Sequence, residues 1–257
     1  MHYPKISVVT CSYNQANFLE QAIQSVLNQG YPNLEYIIMD GNSTDNSVGI
    51  IRKYEDQLAC WVSEPDEGQS DALANGFARA TGDVLCWLCS DDLLEAGSLH
   101  DVGRLFAQDP ALEVVFGDTI FIDAGGAVTR KYKTLPFNRW LLLNTANYIP
   151  QPSTFWSRRI YEKTGGLNRT LHMGLDPDLW LRFSETTHLR HVRRYWSRMR
   201  FYPEIKSLTM KMQMRDEHRK LEIRYLGNRP EFVRLAMKAV ARTVRVGYKA
   251  LLGCYWT

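Results

Sequence analysis

Apolar and polar positions alternate in blocks along the first 110 residues, and each block predicts one element. Residues 5–11, Lys-Ile-Ser-Val-Val-Thr-Cys, form a β-branched run of strand length that Ser12-Tyr13-Asn14-Gln15 breaks. Phe18, Leu19, Ala22, Ile23, Val26 and Leu27 follow at helical spacing and stop at Gly30 and Pro32. Leu34 to Met39 predicts a second strand, ending in Asp40-Gly41-Asn42-Ser43-Thr44-Asp45, where a helix toward Tyr54 should start. Ala59 to Ser63 predicts a third strand, emptying into Glu64-Pro65-Asp66-Glu67-Gly68-Gln69-Ser70-Asp71, with a helix from Ala72 to Ala80. Gly82-Asp83-Val84-Leu85-Cys86-Trp87-Leu88-Cys89-Ser90-Asp91-Asp92 is a fourth apolar run, and it delivers two adjacent carboxylates to its end.

Four strand–helix alternations argue for parallel βαβ units and an α/β fold with a mostly parallel central sheet. Ligands in such sheets bind outside the carboxyl ends of the strands. Tyr13/Asn14, Asp40, Glu64/Asp66 and Asp91/Asp92 all sit at those ends. Hard dications such as Mg²⁺ or Mn²⁺ take carboxylate oxygens and substrate phosphates, so Asp91-Asp92 suits a metal–diphosphate site. Alone, the pair also fits a turn or helix cap; the convergence of four strand ends favours a site.

Beyond the first 110 residues the pattern predicts a helix near 96–108, a strand over 114–122 broken at Gly117-Asp118, and a turn at Gly125-Gly126. Residues 130–150 are aromatic and Asn-rich without clear periodicity. Gln151-Pro152-Ser153-Thr154-Phe155-Trp156 reads as extended. A helix then starts with Asp176 at the N-cap and Pro177 at the first helical position.

Charge divides the chain. Residues 1–188 carry 14 Lys and Arg against 23 Asp and Glu, and residues 189–257 carry 17 against 5, so −9 and +12 sum to the net +3. Arg234, Lys238, Arg242, Arg245 and Lys249 recur at spacings of 4, 4, 3 and 4 and share one helical face, with apolar residues on the rest. A basic, amphipathic helix predicts contact between residues 230–257 and an anionic membrane surface, with a helix packed on the body and solvated charges as the alternative. No apolar leader core of about 7–15 residues follows Met1, and no run of about 18 apolar residues occurs. The expected location is cytoplasmic, peripheral on the inner face of the plasma membrane. Five cysteines without a framework pattern suggest reduced thiols, and Cys86 and Cys89 read as core packing.

The pieces Ser7-Val8-Val9-Thr10-Cys11-Ser12-Tyr13-Asn14, Asp40-Gly41-Asn42-Ser43-Thr44-Asp45, Glu64-Pro65-Asp66-Glu67-Gly68, Asp71 to Gly76, Ala80-Thr81-Gly82-Asp83, Ser90-Asp91-Asp92 and Asp176 to Arg182 run in this order. In that order the sequence resembles the family 2 glycosyltransferases, nucleotide-sugar enzymes of GT-A (Rossmann-like) fold. The resemblance implies a catalytic domain over 1–210, with a nucleotide-sugar half to about 110 and an acceptor half over 111–210, and a basic helical extension over 211–257. It implies that Tyr13 and Asp40 hold the base above the Thr10–Asn14 loop, and that Asp66 and Asp71 shape the nucleotide and sugar pocket. Asp92 would ligate Mg²⁺ or Mn²⁺, Asp91 would face ribose or the metal, and Asp176 would be the catalytic base, with Asp178 the second candidate. The implied reaction is inverting transfer of one sugar from a nucleotide-diphosphate donor, UDP foremost, to a glycan or lipid-linked acceptor in cell-surface polysaccharide synthesis.

Two positions depart from the family's pattern: Tyr202 stands where relatives often carry a histidine near the metal, and Arg193-Arg194-Tyr195-Trp196 only echoes the processive Gln-x-x-Arg-Trp motif. Acceptor choice should lie in residues 130–175. A nicotinamide enzyme is disfavoured because the first turn lacks G-x-G-x-x-G. A nucleic-acid partner is disfavoured because no recognition module is present. A non-catalytic nucleotide-sugar binder is the competing reading.

Overall fold

A computed structural model describes residues 3–254. Its elements run β1 (Ile6–Ser12), α1 (Ala16–Leu27), β2 (Leu34–Asp40), α2 (Ser47–Arg52), β3 (Cys60–Ser63), α3 (Gln69–Arg79), β4 (Val84–Trp87), β5 (Leu93–Leu94), α4 (Ser98–Gln108), β6 (Val114–Ile122) and β7 (Val128–Tyr132). There follow α5 (Arg139–Asn144), β8 (Thr154–Ser157), α6 (Arg158–Lys163), α7 (Leu175–Phe183), β9 (Leu189–Arg200), α8 (Lys206–Thr209), α9 (Lys211–Leu226) and α10 (Glu231–Leu251).

One nine-stranded sheet runs β3-β2-β1-β4-β8-β6-β9-β5, with β7 paired to β6. The four strands of the first half are mutually parallel, and β8 joins them antiparallel to β4. Every residue of β1 is buried, as expected of a central strand covered on both faces. α3 sits directly on it because Gly76 leaves no Cβ to collide with Val9.

Strand lengths open the crevice. The β1–β2–β3 ladders place Ser12, Asp40 and Ser63 side by side, whereas the β1–β4 register ends at Val9 and Trp87. β4 therefore stops short, and the turn carrying residues 88–92 occupies the space beside the end of β1. An aromatic cluster then ties this turn's strand to α7: Trp87 stacks on Trp180 at 5.9 Å, and Trp156 meets both rings edge-on at 5.4 and 5.6 Å. Such pairs contribute about 0.5–1.5 kcal/mol each beyond area burial. They hold the acid turn and α7 as one rigid unit.

The sequence pattern was weakest at β9. Charge masks β9: its alternation of Arg with partly buried residues reads as a polar tail, yet it pairs along nearly the whole of β6. The start of α7 also differs from expectation. The helix begins at Leu175, so Asp176 lies in its first turn and Gly174 is the cap. Glu217 of α9 explains this, because its carboxylate accepts the backbone N–H groups of His172, Met173 and Gly174 at 2.8–3.1 Å. These bonds hold the Glu217 carboxyl below the usual range despite partial burial. Glu217 thus braces the start of the helix from a distance, and the Asp176 side chain turns to Asn147 and its own backbone N–H.

Candidate active site

A cavity of about 1620 Å³ lies outside the carboxyl ends of β1–β4 and is closed on its far side by α7, α9 and α10. Its deepest acidic feature is the turn after β4. Asp91 and Asp92 follow a strand buried in the core, so their carboxylates are pinned at the cavity wall. Asp92 Oδ1 accepts the Arg200 N–H at 2.9 Å, and Asp91 Oδ2 accepts the Tyr202 hydroxyl at 2.9 Å. Tyr202, at the position of the expected histidine, thus faces the acids and packs 5.0 Å from Phe18. Burial, reinforced by the charge of Asp91, pushes the Asp92 carboxyl well above its ordinary range, and burial also raises Asp91.

Whether these residues suit a dication follows from the donor set. Cys89 Sγ and oxygens of Asp91 and Asp92 all lie within 4.8 Å of one another. Two crowded, buried carboxylates raised in pKa are relieved by a positive ion, and hard oxygens fit Mg²⁺ or Mn²⁺. Hydrogen bonding with Cys11 and burial keep the Cys89 thiol protonated, so it adds no thiolate. The fit holds for Asp91 and Asp92. Cys89 also corrects the sequence reading, since only Cys86 is buried in the core, whereas Cys89 lies past the strand end on the cavity wall.

A second carboxylate stands apart on α7. Asp176 lines the cavity, and its Oδ2 accepts from Asn147 Nδ2 at 2.5 Å. Burial raises its pKa to about 6, against the lowering effect of backbone and Asn147 hydrogen bonds. A carboxylate so placed is ionised at neutral pH and still basic enough to take a proton.

The other expected residues divide by geometry. Tyr13, 61% exposed, and Asp66 line the cavity. Asp40 does not; it accepts from Ser43 N, Ser43 Oγ and Ser63 Oγ at 2.9, 2.5 and 2.7 Å, fixing the loop that presents Gly41 and Asn42. Asn14 has left-handed backbone, φ 52°, and its side-chain oxygen accepts Thr44 N at 2.8 Å, clasping the two loops. Thr10 is buried against the Tyr36 hydroxyl at 3.0 Å. Asp71 is paired with Arg169 outside the cavity. Asp178 is fully buried and bonded to Arg182 at 2.8 Å, with Arg224 at 3.6 Å, so it faces away from the cavity.

Several wall residues carry no sequence signal. Gln151 bonds the Trp87 carbonyl at 2.6 Å, and Gln69 donates to Cys89 Sγ at 3.3 Å. Lys206 Nζ is held by Gln69 Oε1 at 3.1 Å and the His172 carbonyl at 2.8 Å, both neutral, and no carboxylate among the described residues pairs with it. Gln69 and Gln151 lie in segments the sequence marks as a strand end and an extended run, but nothing in the pattern assigns their side chains to the wall, and only the folded chain brings them to Lys206 and Cys89.

The basic stripe of α10 was visible as a pattern, but its direction was not. Arg234, Lys238, Arg242 and Arg245 line the cavity, while Phe232, Leu235, Val240, Val246 and Leu251 face outward at 55–85% exposure. The basic side chains therefore turn to the cavity, and the apolar side is the one left facing outward. No helix among the described residues is long and apolar enough to cross a bilayer.

A parallel half-sheet with an acid pair at a shortened strand end faces a separate basic carboxylate across one large shared cavity. The sequence pattern of Glycosyl transferase family 2 matches residues 7–171, and the chain belongs to that family. An uncharacterised glycosyltransferase of Mycobacterium tuberculosis is 31% identical over 183 residues, covering 70% of this chain and 68% of its own. Chondroitin synthase of Pasteurella multocida is 27% identical over 74% of this chain, which spans 20% of that protein. Among solved structures, S. aureus TarS residues 1–349 with UDP-GlcNAc superposes with a TM-score of 0.68 at 15% identity, covering 92% and 71% of the two chains. The mannosyltransferase PcManGT of Pyrobaculum calidifontis with GDP-Man and Mn²⁺ gives 0.64 at 18%, covering 94% and 70%. The chain is therefore a glycosyltransferase of GT-A fold that uses nucleotide-sugar donors.

Proposed function

We propose that this glycosyltransferase moves a single sugar with inversion from a nucleoside diphosphate sugar to a hydroxyl of a glycan or lipid-linked acceptor, in cell-surface polysaccharide synthesis. The observation that carries the reading is the pairing, in one cavity, of the Asp91–Asp92 acid pair with Asp176, whose pKa of about 6 suits a base. UDP is the favoured carrier, since TarS binds UDP-GlcNAc and UDP, although PcManGT binds GDP-Man.

Asp92 and Asp91 would hold Mg²⁺ or Mn²⁺, whose charge would offset that developing on the departing diphosphate. Lys206 adds a fixed positive charge on the same wall. Tyr13 offers an exposed ring for the base, with Asp66 beside it and Asp40, Asn14 and Thr10 holding the loops and strands beneath. Asp176 takes the acceptor hydroxyl's proton as that oxygen bonds the anomeric carbon and the carbon–phosphate oxygen bond breaks. Asn147 fixes Oδ2 of Asp176, leaving Oδ1 for the acceptor. Direct displacement with one base makes the product anomer opposite to the donor's. Proton NMR of the first-formed product should show an anomeric proton with the shift and coupling of the anomer opposite to the donor's; a retained anomer would overturn the displacement.

The outer face of α10 supports peripheral lipid contact. All five of its Lys and Arg residues lie on one face, and from Phe232 to Leu251 the opposite face is uncharged and exposed. An apolar helical face beside the acceptor side suits the interface of a bilayer. Changing Phe232, Leu235 and Val246 together to Ser should weaken co-sedimentation with phosphatidylglycerol–phosphatidylethanolamine vesicles about 10³-fold or more, given ~1.5–3 kcal/mol for burying each large apolar side chain. Unchanged sedimentation, or a dimer in the ultracentrifuge that the same changes dissolve, would remove the membrane assignment.

A further inference from the structure

The cavity has a basic pole as well as an acidic one. Arg215 and Arg219 of α9 join Arg234, Lys238, Arg242 and Arg245 of α10 in lining it. The acid these two helices contribute to the wall is Glu222, 3.0 Å from Lys238 and 3.7 Å from Arg219. Arg234 reaches only the exposed Glu231 at 3.3 Å, and its Nε is buried with no hydrogen-bond partner among the described residues. Arg245 bonds neutral oxygens, the Ala146 carbonyl and the Tyr132 hydroxyl, both at 3.3 Å. Six cations against two neighbouring carboxylates, Glu222 and the exposed Glu231, leave a surplus of positive charge facing the cavity, and the unpartnered buried Nε of Arg234 is costly until an anion meets it.

Location decides which anion. The Ala146 carbonyl held by Arg245 belongs to the residue before Asn147, whose amide bonds Asp176. The basic pole therefore begins beside the group that receives the acceptor's proton, on elements separate from the acid turn after β4. We infer that this pole is an anion subsite for the acceptor, and that the acceptor carries a phosphoryl group near the hydroxyl that is glycosylated. The inference rests on reading Asp176 as the base. Phosphate or diphosphate is favoured over a single carboxylate because several guanidinium forks converge, and each fork matches phosphoryl oxygens in a bidentate manner. The phosphoryl group could link a sugar to a lipid carrier or belong to a soluble phosphorylated glycan.

The test uses the full chain with inorganic pyrophosphate as probe, by isothermal titration without metal or donor, beside a separate titration of UDP with Mn²⁺. Arg215 and Arg242 are exposed, so Arg215→Ser/Arg242→Ser should fold normally; Arg245→Ser is the second variant. Pyrophosphate should bind the wild type one to one, and each variant should bind it about tenfold or more weakly. UDP·Mn²⁺ affinity should change by less than about twofold, as expected for independent sites. No pyrophosphate binding to a chain that still binds UDP·Mn²⁺, or undiminished binding by both variants, overturns the acceptor subsite while leaving the transferase reading standing. Equal loss of UDP·Mn²⁺ affinity overturns it too, by placing the donor there. Farnesyl diphosphate then separates the sources: affinity well above that of pyrophosphate assigns a lipid-linked phosphate, and equal affinity assigns a soluble one.

Discussion

Asp176→Asn is expected to lower turnover by about 10²–10⁴-fold, the usual contribution of a positioned general base, while nucleotide binding stays near normal. The amide keeps an oxygen for the Asn147 donor, so the local fold should survive, but it cannot accept a proton. The sign of the pH dependence follows from the raised pKa. Below about pH 6 the wild-type carboxyl is protonated and inactive as a base. kcat/KM should then fall about tenfold per pH unit on the acid side, and level off above. At Mn²⁺ concentrations that keep Asp91 and Asp92 ionised and metal-bound across the range, this limb should vanish in Asp176→Asn along with the activity. An unchanged rate in the variant, or a limb that persists in its residual activity, would move the base elsewhere. Asp178 is a poor substitute because it is spent on Arg182 inside the core.

Asp92→Asn is expected to abolish metal-dependent donor binding and to reduce transfer by about 10³-fold or more, the scale of losing a preorganised charge at a leaving group. Asn retains an acceptor oxygen for the Arg200 N–H, which makes it a cleaner probe than Ala. Stability gives an independent readout. The folded pKa of Asp92 lies above its unfolded value, so between those values the native state binds more protons and stability falls as pH rises. A dication reverses that cost only where the acids are ionised. Mn²⁺ should therefore raise the melting temperature of the wild type more at pH 8 than at pH 5.5. In Asp92→Asn the shift should be absent and the metal-free protein slightly more stable at pH 8. A full Mn²⁺ shift in the variant would contradict the assignment.

Much of the donor side was legible in the sequence because its signals are local. Strand ends following β-branched runs, and polar residues at each of them, follow from periods of two and 3.6 read over a few residues. Asp91 and Asp92 needed only the strand before them. Asp40, Asn14 and Thr10 belong to the same ends, yet their side chains turn to Ser43, Ser63, Thr44 and Tyr36. Motif position placed them at the site but did not distinguish a ligand-facing group from one that braces a loop. The acceptor side was much less legible because it is assembled from long-range contacts. Glu217 takes over the cap that Asp176 appeared to provide, from 43 residues away at Gly174. The stripe of α10 had the right spacing, but a helical pattern fixes which residues share a face, not which way that face turns. Packing against α5 turned the charges inward and left the apolar side outside.

The central claim is that Asp91–Asp92 and Asp176 serve two distinct halves of one displacement. It is tested most directly by nucleoside diphosphate release from a panel of UDP-, GDP- and dTDP-sugars with a phosphorylated acceptor, with and without Mn²⁺, in wild type, Asp92→Asn and Asp176→Asn. The expected result is metal-dependent release by the wild type with at least one donor, no metal-dependent donor binding in Asp92→Asn, and normal binding without transfer in Asp176→Asn. Clear nucleotide binding by the wild type with no release from any donor would contradict it and leave a binding protein in its place.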